Sequence, residues 1–497
     1  MANTESVEEL KRPAAWRGRL EYKWMALGVT TIGSLMAAVD GTIVILGLPE
    51  MMVKLHADLV EMIWVIMGYI LISTVFLLTF GRVADMVGRV RMYNVGFVVF
   101  TVGSALCGLS ATAGQLILFR LIQGSGAAML IVNSVAIVTE VFPPNERGRA
   151  LGINAVTWAI GGVLSPILGG LILTVADWRW IFFINVPIGL VGAYVAYRVL
   201  RENSTRSSGE RFDPIGAATF SLGLTAILLA LTLGIQFSWT SAPIMLLFGA
   251  FVVFLLVFFW WERRAPNPVL DLALFKNRVY NFSVLAAMMA ALALFAVNFL
   301  VVFYLQAVRG YDPLRAAVLL IPLPIFTAIA SPVGGWIADR IGARVPATLG
   351  LLIQGGALLW FLRLTPQTPY QQIAFGLGLM GVGGGLFYSP NTSAAMNSAP
   401  VRRLGVASAT LATLRQAGMV TSFAIALAVA AGSLPRDAMM QLFVGTSVTL
   451  GSQIMQVFVL GMHNAFAVSL VLSVVAAGFS LVRGKEVRHG QTVRQEP

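Results

Sequence analysis

Asp40 lies about 16 residues inside a long apolar run, and Arg120 lies inside another. An uncompensated charge at such depth in a bilayer costs at least ~2.5–3.5 kcal/mol, so each must face water or a partner of opposite sign. Asp40 is about eight residues from the far end of its run, and Arg120 about five from the start of its own. At ~1.5 Å per residue these depths differ by ~5 Å, within an arginine's reach. Gln123 follows one helical turn after Arg120, on nearly the same face. A carboxylate balanced between desolvation and a nearby cation can take up and release a proton. The plainer readings are a buried ion pair with a purely structural role, or an Arg120 that reaches alone to the membrane surface.

A second kind of chemistry is carried by a charged string that occurs twice. Gly81-Arg82-Val83-Ala84-Asp85-Met86-Val87-Gly88-Arg89 recurs as Gly335-Trp336-Ile337-Ala338-Asp339-Arg340-Ile341-Gly342-Ala343-Arg344, and 335 − 81 is an offset of 254 residues. In each copy the glycines allow two helices to approach closely. An aspartate there can cap a helix N-terminus or pair with an arginine of the other copy's half. Gly81, Asp85, Gly88, Arg89, Asp339 and Arg340 are therefore expected to form a latch that biases opening to one side or the other. A solvated turn without a latch is the alternative.

Between these charges, Gly161, Gly162, Ser165, Pro166, Gly169 and Gly170 form two adjacent rows at i, i+4 on one run. Such a smooth face lets another helix approach, and Pro166 bends it. Ordinary packing and a hinge or seal are both consistent with it.

These residues need membrane helices to hold them. Hydrophobic residues make up 58% of the 497-residue chain and charged ones 11%, against roughly a quarter charged in soluble proteins. Apolar runs of about 18 or more residues recur along its length, enough to cross a ~30 Å hydrocarbon core as helices. They are unbroken rather than alternating, which excludes a strand barrel. Fourteen spans are predicted, making an all-α membrane protein. Because the second charged string follows the tenth span rather than the eighth, two extra spans must separate two six-helix halves.

The predicted organisation is a cytoplasmic N-terminal segment over 1–23 and a six-helix bundle over 24–201. A linker with two extra transmembrane helices covers 202–279, and a second six-helix bundle covers 280–482. Residues 433–462 form an external loop within that bundle, with a further membrane segment as the alternative, and 483–497 a cytoplasmic tail. Most of the 34 Lys and Arg residues then fall on one face, which places both termini in the cytoplasm. The formal charge of +12 becomes a topology signal that attracts anionic headgroups and needs no nucleic acid. Residues 1–23 read as neither signal peptide nor targeting sequence.

Cys107 is the single cysteine, and His56, His463 and His489 are scattered, so no metal site is expected. Gly376-Leu377-Gly378-Leu379-Met380-Gly381 matches a dinucleotide fingerprint in form but lies in an apolar run without strands, where close helix packing explains it better. No nucleophile–base pair or phosphate loop is present, so the chain does not read as an enzyme, and no cofactor beyond a proton gradient is expected.

On these residues the chain resembles the major facilitator superfamily, and within it the fourteen-helix drug:proton antiporter branch. Gly81–Arg89 is similar to that family's loop motif. Leu118-Phe119-Arg120-Leu121-Ile122-Gln123-Gly124-Ser125-Gly126 is similar to a motif whose arginine serves proton coupling. Gly162 to Gly170 is similar to the antiporter motif, with Ser165 where glycine is preferred. Asp40-Gly41-Thr42-Ile43-Val44, Trp178 to Pro187, and Tyr304-Leu305-Gln306 with Gly310-Tyr311 are also similar to branch signatures. The resemblance implies proton-coupled export of lipophilic small molecules by rocker-switch alternating access, in the cytoplasmic membrane, by a monomeric unit among membrane lipids. No second carboxylate is found in the spans of the second half, which implies a neutral or singly charged substrate. Asn133, Asn298 and Asn391 join Gln123 as expected cavity contacts. An exporter or flippase of a lipid or cell-envelope precursor is the alternative, and a metabolite importer or a non-transporting sensor are weaker rivals.

Overall fold

A computed structural model describes residues 21–57, 59–202, 212–265, 268–311, 313–433 and 452–484. Sixteen α-helices account for nearly all of the described residues. The first half holds α1 (Tyr22–Lys54), α2 (Leu59–Val87), α3 (Arg89–Leu109), α4 (Ala113–Val141) and α5 (Arg147–Val175). It closes with the short α6 (Trp180–Phe183) and α7 (Asn185–Val199). The hairpin α8 (Pro214–Phe237) and α9 (Ala242–Glu262) follows. The second half holds α10 (Arg278–Phe303), α11 (Pro313–Leu319), α12 (Pro322–Ile341), α13 (Arg344–Phe361), α14 (Tyr370–Asn397), α15 (Leu404–Ser433) and α16 (Ser452–Val482). Among the described residues, eleven helical stretches are long and apolar enough to cross a membrane by length and composition.

Local chemistry sets the boundaries. The Thr112 hydroxyl accepts the Gln115 N–H to start α4, and the Asp213 carboxylate accepts those of Ile215 and Gly216 ahead of Pro214 to start α8. Asn277 does the same for α10 through Val279 and Tyr280. The two charged strings end alike: α2 stops at Gly88 with φ +121° and α12 at Gly342 with φ +91°. Only glycine holds such angles without strain, so both copies turn at the same internal position.

Within each half the helices pack as neighbours, α2 and α3 on α4, α1 on α5, α12 and α13 on α14, and α10 on α15 and α16. Across the halves α5 meets α12 and α2 meets α15. The hairpin leans through α8 on α2 and α15, while α9 packs against α8 and turns Leu246, Val253, Leu256 and Trp260 outward. Those outward side chains suit acyl chains as a solvent, since a helix apolar all round is a membrane helix.

Residues 452–462 differ from expectation. They are the opening turns of α16, not loop, with Phe458 and Met462 fully buried. Phe458 and Met462 lie one turn apart on α16, so one side of these turns packs inward while Gln456 and Val457 stay exposed. The rest of the expected loop, 434–451, lies outside the described residues, as do the segments 1–20 and 485–497.

Candidate functional site

Asp40 is fully buried on α1, and three side chains from two other helices converge on its carboxylate. Arg120 Nη1 on α4 donates to Oδ2 at 2.6 Å. On Oδ1, Gln123 Nε2 donates at 2.8 Å and Asn185 Nδ2, at the start of α7, at 2.9 Å. The group is cross-tied as well. Arg120 Nη1 also donates to Gln123 Oε1 at 2.8 Å, and Asn185 Nδ2 to Ser104 Oγ at 3.1 Å. Arg120 Nε donates to the Val65 carbonyl at 3.1 Å, and the guanidinium lies 4.1 Å from the Tyr69 ring centroid. A buried ion pair needs such extra hydrogen bonds, because the Coulomb attraction alone does not offset desolvation of both charges.

One part of this cluster is not fully paired. Arg120 Nη2 is buried without a hydrogen-bond partner among the described residues. A guanidinium with one orphan donor can shift its bonds when the carboxylate beside it changes charge, which a fully saturated one cannot do without loss.

Of the residues expected here, the structure brings together Asp40, Arg120 and Gln123. The other expected cavity contacts lie elsewhere. Asn133 is buried on α4 and donates to the Met129 carbonyl of its own helix. Asn391 on α14 donates to the Ser283 carbonyl and accepts from Arg483 at 3.2 Å. Asn298 is on α10, and its side chain lies outside the described residues. Asn185, Ser104 and Tyr69 were not expected at the site. A signal existed for Asn185: it is the one amide in the Trp178–Pro187 run, where the resemblance was noted without a role for the residue. Trp178, at the head of that run, is fully buried against Phe182.

The stripe on α5 sorts into two rows. Gly161 faces Ala38 and Gly169 faces Ile43 and Leu46, so one row packs on α1 on either side of Asp40. Ser165, within that row, donates to the Val39 carbonyl at 2.7 Å and accepts from Thr42 Oγ1 at 2.7 Å. Gly162 has open space beside it, and Gly170 is only partly buried. The Pro166 side chain lies outside the described residues.

The two charged strings form a matched pair of bonds across the halves. Asp85, at the end of α2, accepts the N–H groups of Gly405 and Val406 at 2.9 Å each, in the first turn of α15. Asp339, at the end of α12, accepts those of Gly148 and Arg149 at 2.9 Å each, in the first turn of α5. Each carboxylate therefore sits on the positive end of a helix from the other half. Arg89 braces Asp85 at 2.8 Å and reaches Glu140 at 2.6 Å and the Val401 carbonyl at 2.6 Å. Arg340 lies over the Trp336 ring at 3.8 Å. Gly81 packs on Ala409 and Gly405, and Gly335 on Gly148, too close for any side chain. Gly88 stands where a Cβ would meet the Glu202 carboxylate. The end of the bundle bearing both strings is closed.

A sequence profile of the Major Facilitator Superfamily matches residues 30–221 and again 215–423. The chain belongs to that superfamily. It is 33% identical over 402 residues to the multidrug resistance protein Stp of Mycobacterium tuberculosis, covering 81% of this chain and 74% of that one. It is 31% identical over 404 residues to multidrug resistance protein 3 of Bacillus subtilis, covering 81% and 78%. The crystal structure of the human organic anion transporter MFSD10 superimposes with a TM-score of 0.63 at 14% identity, covering 92% of this chain and 99% of that one. This facilitator is a membrane transporter and not an enzyme. Among its described residues no group of three or more His, Cys, Asp and Glu side chains could hold a metal.

Proposed function

We propose that this facilitator is a proton-coupled exporter of lipophilic small molecules, working by rocker-switch alternating access across fourteen spans. The observation that carries the reading is the Asp40 carboxylate, fully buried yet held by donors from α4 and α7. Taking up a proton would remove the charge that Arg120, Gln123 and Asn185 are arranged to bind, and so loosen three helices at once. Ser165 and the Gly161/Gly169 row link the same stretch of α1 to α5, which crosses to α12 of the other half. Proton exchange at Asp40 would reach the seam between the halves by that route.

The Asp85 and Asp339 bonds would be the latch that holds one side shut, and the excess of Lys and Arg there reads as the cytoplasmic face. The names of the Mycobacterium and Bacillus relatives support drugs as the substrate class, and to that the proposal adds a cytoplasmic membrane and the proton gradient as the energy source. The test is Asp40→Asn in proteoliposomes under an imposed proton gradient. Gradient-driven efflux is expected to vanish, while undiminished efflux would remove Asp40 from coupling.

A lipid or envelope-precursor exporter is the second reading, and one feature favours it. Ala159, Ile160, Val163 and Leu164 on α5 and Pro324, Ile325 and Ala328 on α12 line a cleft of about 210 Å³ with no polar wall. It lies on the seam between the halves, where an acyl chain would find a path. Efflux of a fluorescent lipid from one leaflet, blocked by Val163→Trp with drug efflux spared, would support that reading.

A further inference from the structure

Arg415 sits on α15 about 11 residues beyond its first residue, Leu404, which at ~1.5 Å per residue is ~16 Å into the bundle, near the middle of a ~30 Å hydrocarbon core. It is partly exposed. Among the described residues it makes no ion pair and no hydrogen bond, which sets it apart from the other arginines enclosed in the bundle. Arg120 holds Asp40 at 2.6 Å. Arg89 holds Asp85 and Glu140. Arg483 donates to the Ala343 carbonyl at 2.7 Å and to Ser480, Asn391 and Ser283.

A bare guanidinium at mid-depth must face water or a ligand, because acyl chains offer it nothing. The helix geometry points it inward. Ser408, seven residues earlier on α15, donates to the Val132 carbonyl of α4 in the opposite half. Seven residues bring a helix back to within ~20° of the same face, so Arg415 looks along the same seam two turns deeper. Its electrostatic neighbour is Tyr388 on α14, also partly exposed and nine residues before Asn397, hence ~14 Å from the same end. The residue after Tyr388, Ser389, donates to the Gly148 carbonyl of α5, so this stretch of α14 also adjoins the other half. Gln354 on α13 adds a third polar group: its amide and the Tyr388 ring both lie against Gly384, and its Oε1 has no partner among the described residues.

We propose that Arg415, with Tyr388 at a similar depth on α14, is a binding site for the anionic group of a lipophilic monoanionic substrate, a carboxylate or sulfonate on an aromatic or alkyl body. This rests on the export reading and narrows its substrate class. The site is distinct from the proton site. Asp40 is 18 residues into α1, ~27 Å from the closed end and ~10 Å deeper than Arg415. One half thus holds a carboxylate already neutralised by its own arginine. The other holds a cation left for the cargo to neutralise. Electrostatics here favours anions over cations, since a cation entering beside Arg415 meets like charge at low dielectric.

The test is a binding measurement on the purified, full-length protein in nonionic detergent, by thermal shift against concentration. The probes are 8-anilino-1-naphthalenesulfonate, dodecanoate and, as the lipophilic cation, ethidium. Wild type is expected to be stabilised by at least one anion. Arg415→Gln should raise the anion concentration needed about tenfold to a hundredfold, the size of a lost charged hydrogen bond. Arg415→Lys should retain most of the affinity, and Tyr388→Phe should lower it several-fold. The ethidium response should be the same in all four proteins. No stabilisation by either anion in wild type, or an unchanged anion midpoint in Arg415→Gln, overturns the site. So does an equal loss for anion and cation. If Arg415→Gln does not fold, the Tyr388→Phe anion midpoint decides: a several-fold loss supports the site and an unchanged midpoint overturns it. Because binding is read without a proton gradient, failure here leaves the Asp40→Asn result untouched.

Discussion

Asp339 Oδ1 accepts the Gly148 N–H at 2.9 Å across the seam, as Asp85 Oδ1 accepts the Gly405 N–H at 2.9 Å on the other side of the bundle. Both aspartates end a helix at one copy of the repeat, and both meet the first turn of a helix from the opposite half. Charge-assisted bonds to a helix N-terminus are worth about 1.5–3 kcal/mol. Asp339→Asn keeps an oxygen acceptor but loses the charge. It is expected to shift the population roughly tenfold or more towards a state with this end open. Spin labels placed at Val87 and Val401 in a Cys107→Ser background would report it as longer distances, and unchanged distances would show that the seam glycines alone hold this end shut.

Asn185 contributes to Asp40 what sequence reasoning did not anticipate. Its amide is shared between Asp40 Oδ1 and Ser104 Oγ, so it ties α7 to α1 and α3. Asn185→Ala leaves a buried carboxylate with one donor fewer, at a cost of about 1–3 kcal/mol. The expected outcome is a lower melting temperature and slowed gradient-driven efflux. Asn185→Gln, long enough to reach the carboxylate again, should restore part of both. Equal losses in the two variants would assign Asn185 to packing alone.

The contrast between Asn185 and Arg120 shows what the sequence made legible. Arg120 was found because a charge in an apolar run is rare and costly, and because helix rise converts residue number into depth. The 254-residue repeat likewise placed Asp85 and Asp339 at matching turns, down to the glycines that end each helix. An asparagine carries no such cost signal, so Asn133, Asn298 and Asn391 were as plausible as Asn185 until helix azimuth was known. Depth follows from counting along one helix, whereas azimuth depends on how neighbours pack. The same gap hid the start of α16, where an uncharged, glutamine-bearing run resembled a loop although Phe458 and Met462 pack inward from it.

The α5 stripe gives a sharper test of azimuth. Gly161 faces Ala38 at 2.7 Å from where a Cβ would sit, while Gly162 has nothing within 4 Å. Gly161→Ala should push α5 away from α1 beside Asp40, lowering both melting temperature and efflux. Gly162→Ala should leave efflux intact and raise stability by up to ~1 kcal/mol, the helix propensity difference. Comparable losses from both substitutions would mean that the outer row also serves as a contact in another state of the cycle.

The opposite end of the first half carries a pH-dependent contact. Lys54 Nζ donates to Asp177 Oδ2 at 2.8 Å, joining the end of α1 to the turn between α5 and α6. Partial burial raises the Asp177 carboxyl, but the Lys54 hydrogen bond, the Arg179 N–H and both positive charges outweigh it, leaving the group below its ordinary value of 3.8. The bond to Asp177, with help from Glu50, holds Lys54 above its ordinary 10.5. A depressed carboxyl stabilises the fold above its unfolded value and loses that contribution as pH falls through the folded one. A raised amine stabilises below its unfolded value and loses it as pH rises through the folded one. The pair should therefore contribute a constant, modest amount from about pH 5 to pH 9, being partly exposed and screened by salt. Asp177→Asn should lower the melting temperature slightly across that window and converge on wild type as pH drops below the ordinary carboxyl range. A difference that persisted in acid would show that Asp177 acts through its hydrogen bond to Arg179 and not through charge.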